Sequence, residues 1–136
     1  MINELVKKWL IRAIDDFKMA KHELDLPEDE IITGGVCFHC QQLVEKLLKG
    51  YLVSKSVKFP KTHNLSLLLQ LCIKQDSDFE RLDVGNLTFY AIDIRYTDDF
   101  YTPSVDEARE CFEIASTAKD FILKKLNIKE KDIYLA

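Results

Sequence analysis

A chain of 136 residues can bury one continuous core and is short for two. With 47% hydrophobic and 31% charged residues, extended disorder is excluded, and four Gly and three Pro are too few for the turns of a β-sandwich or barrel. A formal charge of −4 excludes a global field that would draw the protein to phosphate or an anionic membrane, leaving only local basic patches.

The N-terminal ten residues mix polar and apolar side chains without the apolar centre of a signal peptide, and no apolar run is long enough to span a bilayer. A cytoplasmic protein with no membrane association is the expectation. The spacing predicts a first helix over residues 3–24, with Leu5, Trp9, Ala13, Phe17, Ala20 and Leu24 along one face. Pro27 and the acidic run after it end that pattern. Gly34 and Gly35 precede a second helix over 36–55, whose main stripe is Cys37, Cys40, Val44, Leu47 and Tyr51.

A third helix follows Pro60, capped by Thr62 or Asn64, and buries Leu65, Leu68, Leu69 and Cys72. A fourth is expected over 84–96 with Leu87, Ala91 and Ile94 inward; a strand over 87–94 competes but would have no second strand to pair with. Ser104 and Glu107 have capping-box spacing at the head of a last helix running to 126, which buries Ala108, Cys111, Ala115, Ala118 and Ile122. The fold class is therefore all-α, an up-and-down antiparallel helical bundle of about five helices over residues 1–126, with 127–136 as a frayed or partner-docked tail.

Four cysteines without a secretion signal read as reduced thiols. Cys37-Phe38-His39-Cys40 could suggest zinc or redox chemistry. Four-coordinate zinc needs two further ligands, and a thioredoxin-like pair needs a preceding strand. Both cysteines are expected to pack in the core, with no metal and no cofactor implied. His39, Gln42, Lys46 and Lys49 recur at steps of three and four beside the apolar stripe of the second helix. An imidazole, an amide and two ammonium groups suit a phosphate or a nucleotide edge; an exposed polar face with a hydrogen-bonded histidine explains them equally well. The lysine-rich stretch from Lys46 to Lys61 reads most simply as solvated helix end and loop.

Arg95 and Tyr96, followed by Asp98, Asp99 and Tyr101, combine a guanidinium fork for phosphate with rings for a base, though Asp98 or Asp99 could equally neutralise Arg95. No Gly-rich phosphate loop, nucleophile elbow or paired-histidine metal motif is present, so no residue is assigned a catalytic role.

The segment from Cys37 through Lys49, then Thr62-His63-Asn64-Leu65, then Arg95-Tyr96 with its acidic followers resemble, in order, the motifs of HEPN domains, the helical "higher eukaryotes and prokaryotes nucleotide-binding" family. The segment from Trp9 to Ala20, with Asp16, fits the family's opening helix. The resemblance spans most of the chain and implies a helical bundle, often a homodimer, found in prokaryotes beside minimal nucleotidyltransferases. Some members are metal-independent RNA-cleaving toxins of toxin–antitoxin pairs, with an Arg followed after four to six residues by a His. Here the corresponding positions hold Phe100, Tyr101 and Thr102, and no histidine follows His63. A phenol keeps its proton near neutral pH and does not replace the imidazole.

The resemblance thus implies a non-catalytic protein that binds a nucleotide or RNA segment through His39, Gln42, Lys46, Arg95, Tyr96, Asp98 and Tyr101, acting with a nucleotidyltransferase partner. Two alternatives stand beside it: a ribonuclease toxin with a displaced general base, and a helical interaction or dimerisation module without ligand.

Overall fold

A computed structural model of the chain describes residues 3–91 and 101–134. Among them are four α-helices and no strand: α1 (Glu4–Leu24), α2 (Thr33–Ser54), α3 (Leu65–Gln75) and α4 (Val105–Leu126). No helix among the described residues is long and apolar enough to cross a membrane.

The caps are local chemistry. The Asn3 side chain accepts from the Leu5 amide, Asn64 from Leu67 and Ser104 from Glu107, each covering an N–H that lacks an intrahelical partner. Of the two residues proposed to cap α3, Asn64 does so. α2 and α4 both end on a left-handed residue, Ser56 (φ 57°) and Asn127 (φ 56°). The next amide then turns back into the last turn, Val57 to the Leu52 carbonyl and Ile128 to that of Leu123, both at 3.0 Å.

α2 is the axis of the molecule. It is buried on most of its circumference, and α1, α3 and α4 all pack against it. It begins three residues earlier than expected: Gly34 and Gly35 lie inside its first turn, and the Thr33 hydroxyl donates to the Pro103 carbonyl at 2.7 Å. α1 approaches α2 so closely that a Cβ on Gly50 would sit 3.3 Å from the Trp9 Cβ. The face α1 buries is Val6, Leu10, Ala13, Ile14 and Ala20, rotated from the expected stripe, and Leu5 is 52% exposed. Both Trp9 and Leu10 approach Gly50, the Leu10 Cδ2 atom at 3.6 Å from a Cβ placed there.

Helix directions correct the antiparallel expectation. Early α1 meets late α2 (Trp9 with Gly50) and mid α1 meets earlier α2 (Asp16 with His39), so these two oppose. α3 and α4 instead run with α2. His63, just before α3, bonds Glu45, and Cys72 near its end bonds the Leu48 carbonyl; Pro103 before α4 meets Thr33, and Phe121 late in α4 packs on Phe79, itself against Tyr51. The return strokes are not α-helical where described. The first is the link between Ser54 and Leu65. The second includes a 3-10 turn, Leu87–Tyr90, where a helix over 84–96 was expected. Gly85, at φ 52°, breaks the right-handed run at the predicted start. The remainder of that expected helix, from residue 92, lies outside the described residues.

The C-terminal residues fold back rather than fray. Ile133 is fully buried, Lys119 pairs with Glu130, and the Tyr134 hydroxyl donates to Asp15 at 3.2 Å.

Candidate functional site

The polar stripe of α2 is real but is not a free cationic surface. Asp16 on α1 occupies the position between Ala13 and Ala20, so helical spacing places its carboxylate in the α1–α2 seam, where the residue is 6% exposed. One carboxylate oxygen meets His39 Nδ1 at 2.7 Å and the other accepts from Lys46 Nζ at 2.6 Å. A carboxylate can only accept, so Nδ1 carries a proton, and in the neutral ring Nε2 is the acceptor nitrogen. His39 and Lys46 remain partly open to solvent, and the Phe38 ring stands edge-on to the imidazole.

A second carboxylate, on α2 itself, repeats the scheme. Glu45, 4% exposed, accepts from His63 Nδ1 (2.8 Å), Lys49 Nζ (3.0 Å) and Gln41 Nε2 (3.1 Å). Gln42 donates to the Gln41 side-chain oxygen at 2.7 Å, so it belongs to this network. Lys49 is nearly buried, with its ammonium over the rings of Trp9 and Phe59. The four residues read as one stripe therefore divide: His39 and Lys46 gather on Asp16, Gln42 and Lys49 around Glu45. Reading Lys46 and Lys49 as solvated is corrected; only the lysines beyond α2, Lys55, Lys58 and Lys61, are exposed.

Of the remaining candidates, Arg95, Tyr96 and Asp98 lie outside the described residues. Tyr101 is 42% exposed and donates to Glu107; Tyr90 donates to the other oxygen of the same carboxylate. Both phenols are raised above their ordinary value, Tyr90 chiefly by burial and Tyr101 chiefly by this bond, so both keep their protons and act as donors. The capping box is thus half formed. Ser104 receives the Glu107 amide at 3.0 Å, while the Glu107 side chain turns to the two tyrosines instead of back to residue 104.

All four cysteines are buried and free. The neighbouring Cys37 and Cys111 act on each other so that the Cys37 thiol is raised and the Cys111 thiol lowered. Burial pushes Cys40 up, and Cys72 up to about 12. Cys37 and Cys40 are fully enclosed, and no group of three His, Cys, Asp or Glu able to hold a metal occurs among the described residues.

The roles of Asp16, Glu45 and Glu107 as organising carboxylates were not legible beforehand. The available signal was a carboxylate at core spacing: Asp16 between two buried alanines, Glu45 four residues from both Gln41 and Lys49.

A family model described as HEPN domain matches residues 6–126 of the chain. No curated protein and no solved structure gives a significant match.

Proposed function

The chain belongs to the HEPN domain family, and from that premise we propose that it is a non-catalytic nucleotide- or RNA-binding module, working as a homodimer in the cytoplasm with a nucleotidyltransferase partner. The observation that supports the binding reading is the pair of groups held by Asp16. Because the buried carboxylate fixes the His39 ring and the Lys46 ammonium, the edge they present is pre-organised, and a ligand orders little when it docks. His39 Nε2 can accept from a ribose hydroxyl or base N–H while Lys46 keeps donors for a phosphate oxygen. In this reading Gln42, Arg95, Tyr96, Asp98 and Tyr101 complete the contacts, and a nearby nucleotidyltransferase supplies or uses the nucleotide.

Titration of the full chain with nucleoside monophosphates and a short single-stranded RNA tests this. Saturable binding is expected, weakened about tenfold by Lys46→Ala and again by Arg95→Ala, each removing one charge-assisted contact. Absence of binding at millimolar ligand, in parent and variants alike, removes the reading. Light scattering on the same samples tests the dimer; a monomer at high concentration rejects it.

One observation favours a second reading, metal-independent RNA cleavage. A carboxylate bonded to Nδ1 orients a neutral imidazole so that Nε2 can serve as a general base. It predicts cleavage in the presence of a chelator that is abolished in His39→Ala; intact RNA after long incubation with excess protein rejects it.

A further inference from the structure

On the side of α2 that packs against α4, the 3-10 turn Leu87–Tyr90 and the start of α4 leave two adjoining clefts of about 380 and 530 Å³. They share Gly85, Asn86, Tyr90, Tyr101 and Glu107. Three features make this more than a surface dent. The Tyr101 ring is 42% exposed and braced edge-on by Phe89, whose own ring is 57% exposed, so two aromatic surfaces face outward at the mouth. The Tyr101 hydroxyl is tied down on Glu107, which fixes the ring without covering it. And Glu110 lines the narrower cleft with no hydrogen-bond or ion-pair partner among the described residues.

A fixed ring beside a carboxylate with no partner among the described residues suits a flat molecule that stacks and presents two parallel N–H donors. Among nucleobases only guanine does so on its pairing edge, through N1–H and the exocyclic amine. Adenine and cytosine each place an acceptor nitrogen there, which the carboxylate repels. The volume admits a purine. We infer that this cleft is a base subsite selective for guanine, in a free nucleotide or at one position of a single-stranded RNA, with the base stacked on Tyr101 and its pairing edge on Glu110. The inference rests on the nucleotide-binding reading and adds to it which base is chosen and where. An acidic cleft cannot hold the phosphate, so the cleft is assigned to the base alone.

Calorimetric titration of the full chain with GMP, IMP, AMP, guanosine and adenosine tests this. GMP is expected to bind about tenfold or more tightly than AMP, the discrimination of one good bidentate contact, with IMP between them because it lacks the amine. Guanosine keeps the preference over adenosine at weaker overall affinity. Glu110→Gln abolishes the preference, weakening GMP while AMP, no longer repelled, tightens, whereas Tyr101→Leu weakens every base by about tenfold through lost stacking. Circular dichroism of each variant confirms the fold.

Equal affinity for GMP and AMP, with Glu110→Gln silent, overturns the base subsite and leaves the nucleotide reading standing. No binding by any nucleotide removes both. Arginine amide binding in a Glu110-dependent manner, with no guanine preference, overturns the inference in favour of a cleft for a basic side chain of a protein partner. Fragments of single-stranded RNA with and without guanine distinguish the free from the polymeric source.

Discussion

Asp16 illustrates how one side chain can set the character of a surface. Two donors from α2 converge on a carboxylate that is itself almost enclosed, so removing its charge leaves part of the arrangement unsatisfied. Asp16→Asn keeps the size but offers only one acceptor oxygen and turns an N–H toward the other donor. His39 and Lys46 retain partial solvent access, at 17% and 23%, so the cost is smaller than for a fully buried pair. A loss of about 2 kcal/mol is expected, read as a lowered urea midpoint at unchanged slope. An unchanged midpoint would show that solvent replaces the carboxylate at no cost and that the edge is not pre-organised. At this scale the sequence was half legible. The periodicity of α2 placed His39, Gln42, Lys46 and Lys49 on a common side, because 3.6 residues per turn is a local rule. Which carboxylate each would meet depends on how α1 and the segment before α3 lie against α2, and no local rule contains that.

At the scale of elements, the long amphipathic helices and their caps were legible, since α1, α2 and α4 each carry many turns of consistent pattern and Ser104 and Asn64 cap through their immediate neighbours. The segment after Asp83 was not. Leu87, Ala91 and Ile94 have helical spacing, yet Gly85 takes a left-handed conformation that strains any other residue, and a Cβ there would press on Ile114 Cδ1 at 3.0 Å.

Another long-range feature holds the far end of α4. Lys125 pairs with Asp76 at 2.7 Å and also with Asp78, fastening the last turn of α4 to the end of α3. Both carboxyls lie below their ordinary value of 3.8, chiefly because Lys125 donates to them, and Lys125 lies correspondingly above its own. A depressed acid stabilises the fold above its unfolded value and loses that contribution as pH falls through the folded one. The clasp is therefore complete from about pH 5 upward and opens below 3.8. Amide exchange in the last turn of α4 should rise over that acid range in the parent. In Lys125→Met it should already be fast at pH 5, with little further change. Equal exchange in the two proteins at pH 5 would show that the clasp does not hold the helix end.

Across the whole molecule, three helices running in one sense create a demand that an alternating bundle does not have. The link between Ser54 and Leu65 holds no α-helix, and the described part of the link between Gln75 and Val105 holds only 3-10 turns. The described C-terminal segment adds cover to the core. After the left-handed turn at Asn127 it passes along α4, puts Ile133 wholly inside and sets Tyr134 beside α1, with the Lys18 ammonium 4.3 Å from its ring centre. Lys119, otherwise a cation in the α1–α4 seam against the Phe17 ring, finds its carboxylate there in Glu130. The segment thus closes the bundle over the one face where α1 and α4 meet directly. Ile133→Ala should cost about 2–4 kcal/mol, the usual range for emptying a buried aliphatic site, which for a chain of marginal stability is a large share of the total. Glu130→Gln, which weakens the same docking without making a cavity, should cost less than 1 kcal/mol because its carboxylate is 42% exposed. Urea unfolding followed by far-ultraviolet circular dichroism separates the two. If Ile133→Ala unfolds at the parent's midpoint, the segment is not part of the cooperative core, and the bundle holds its helices without it.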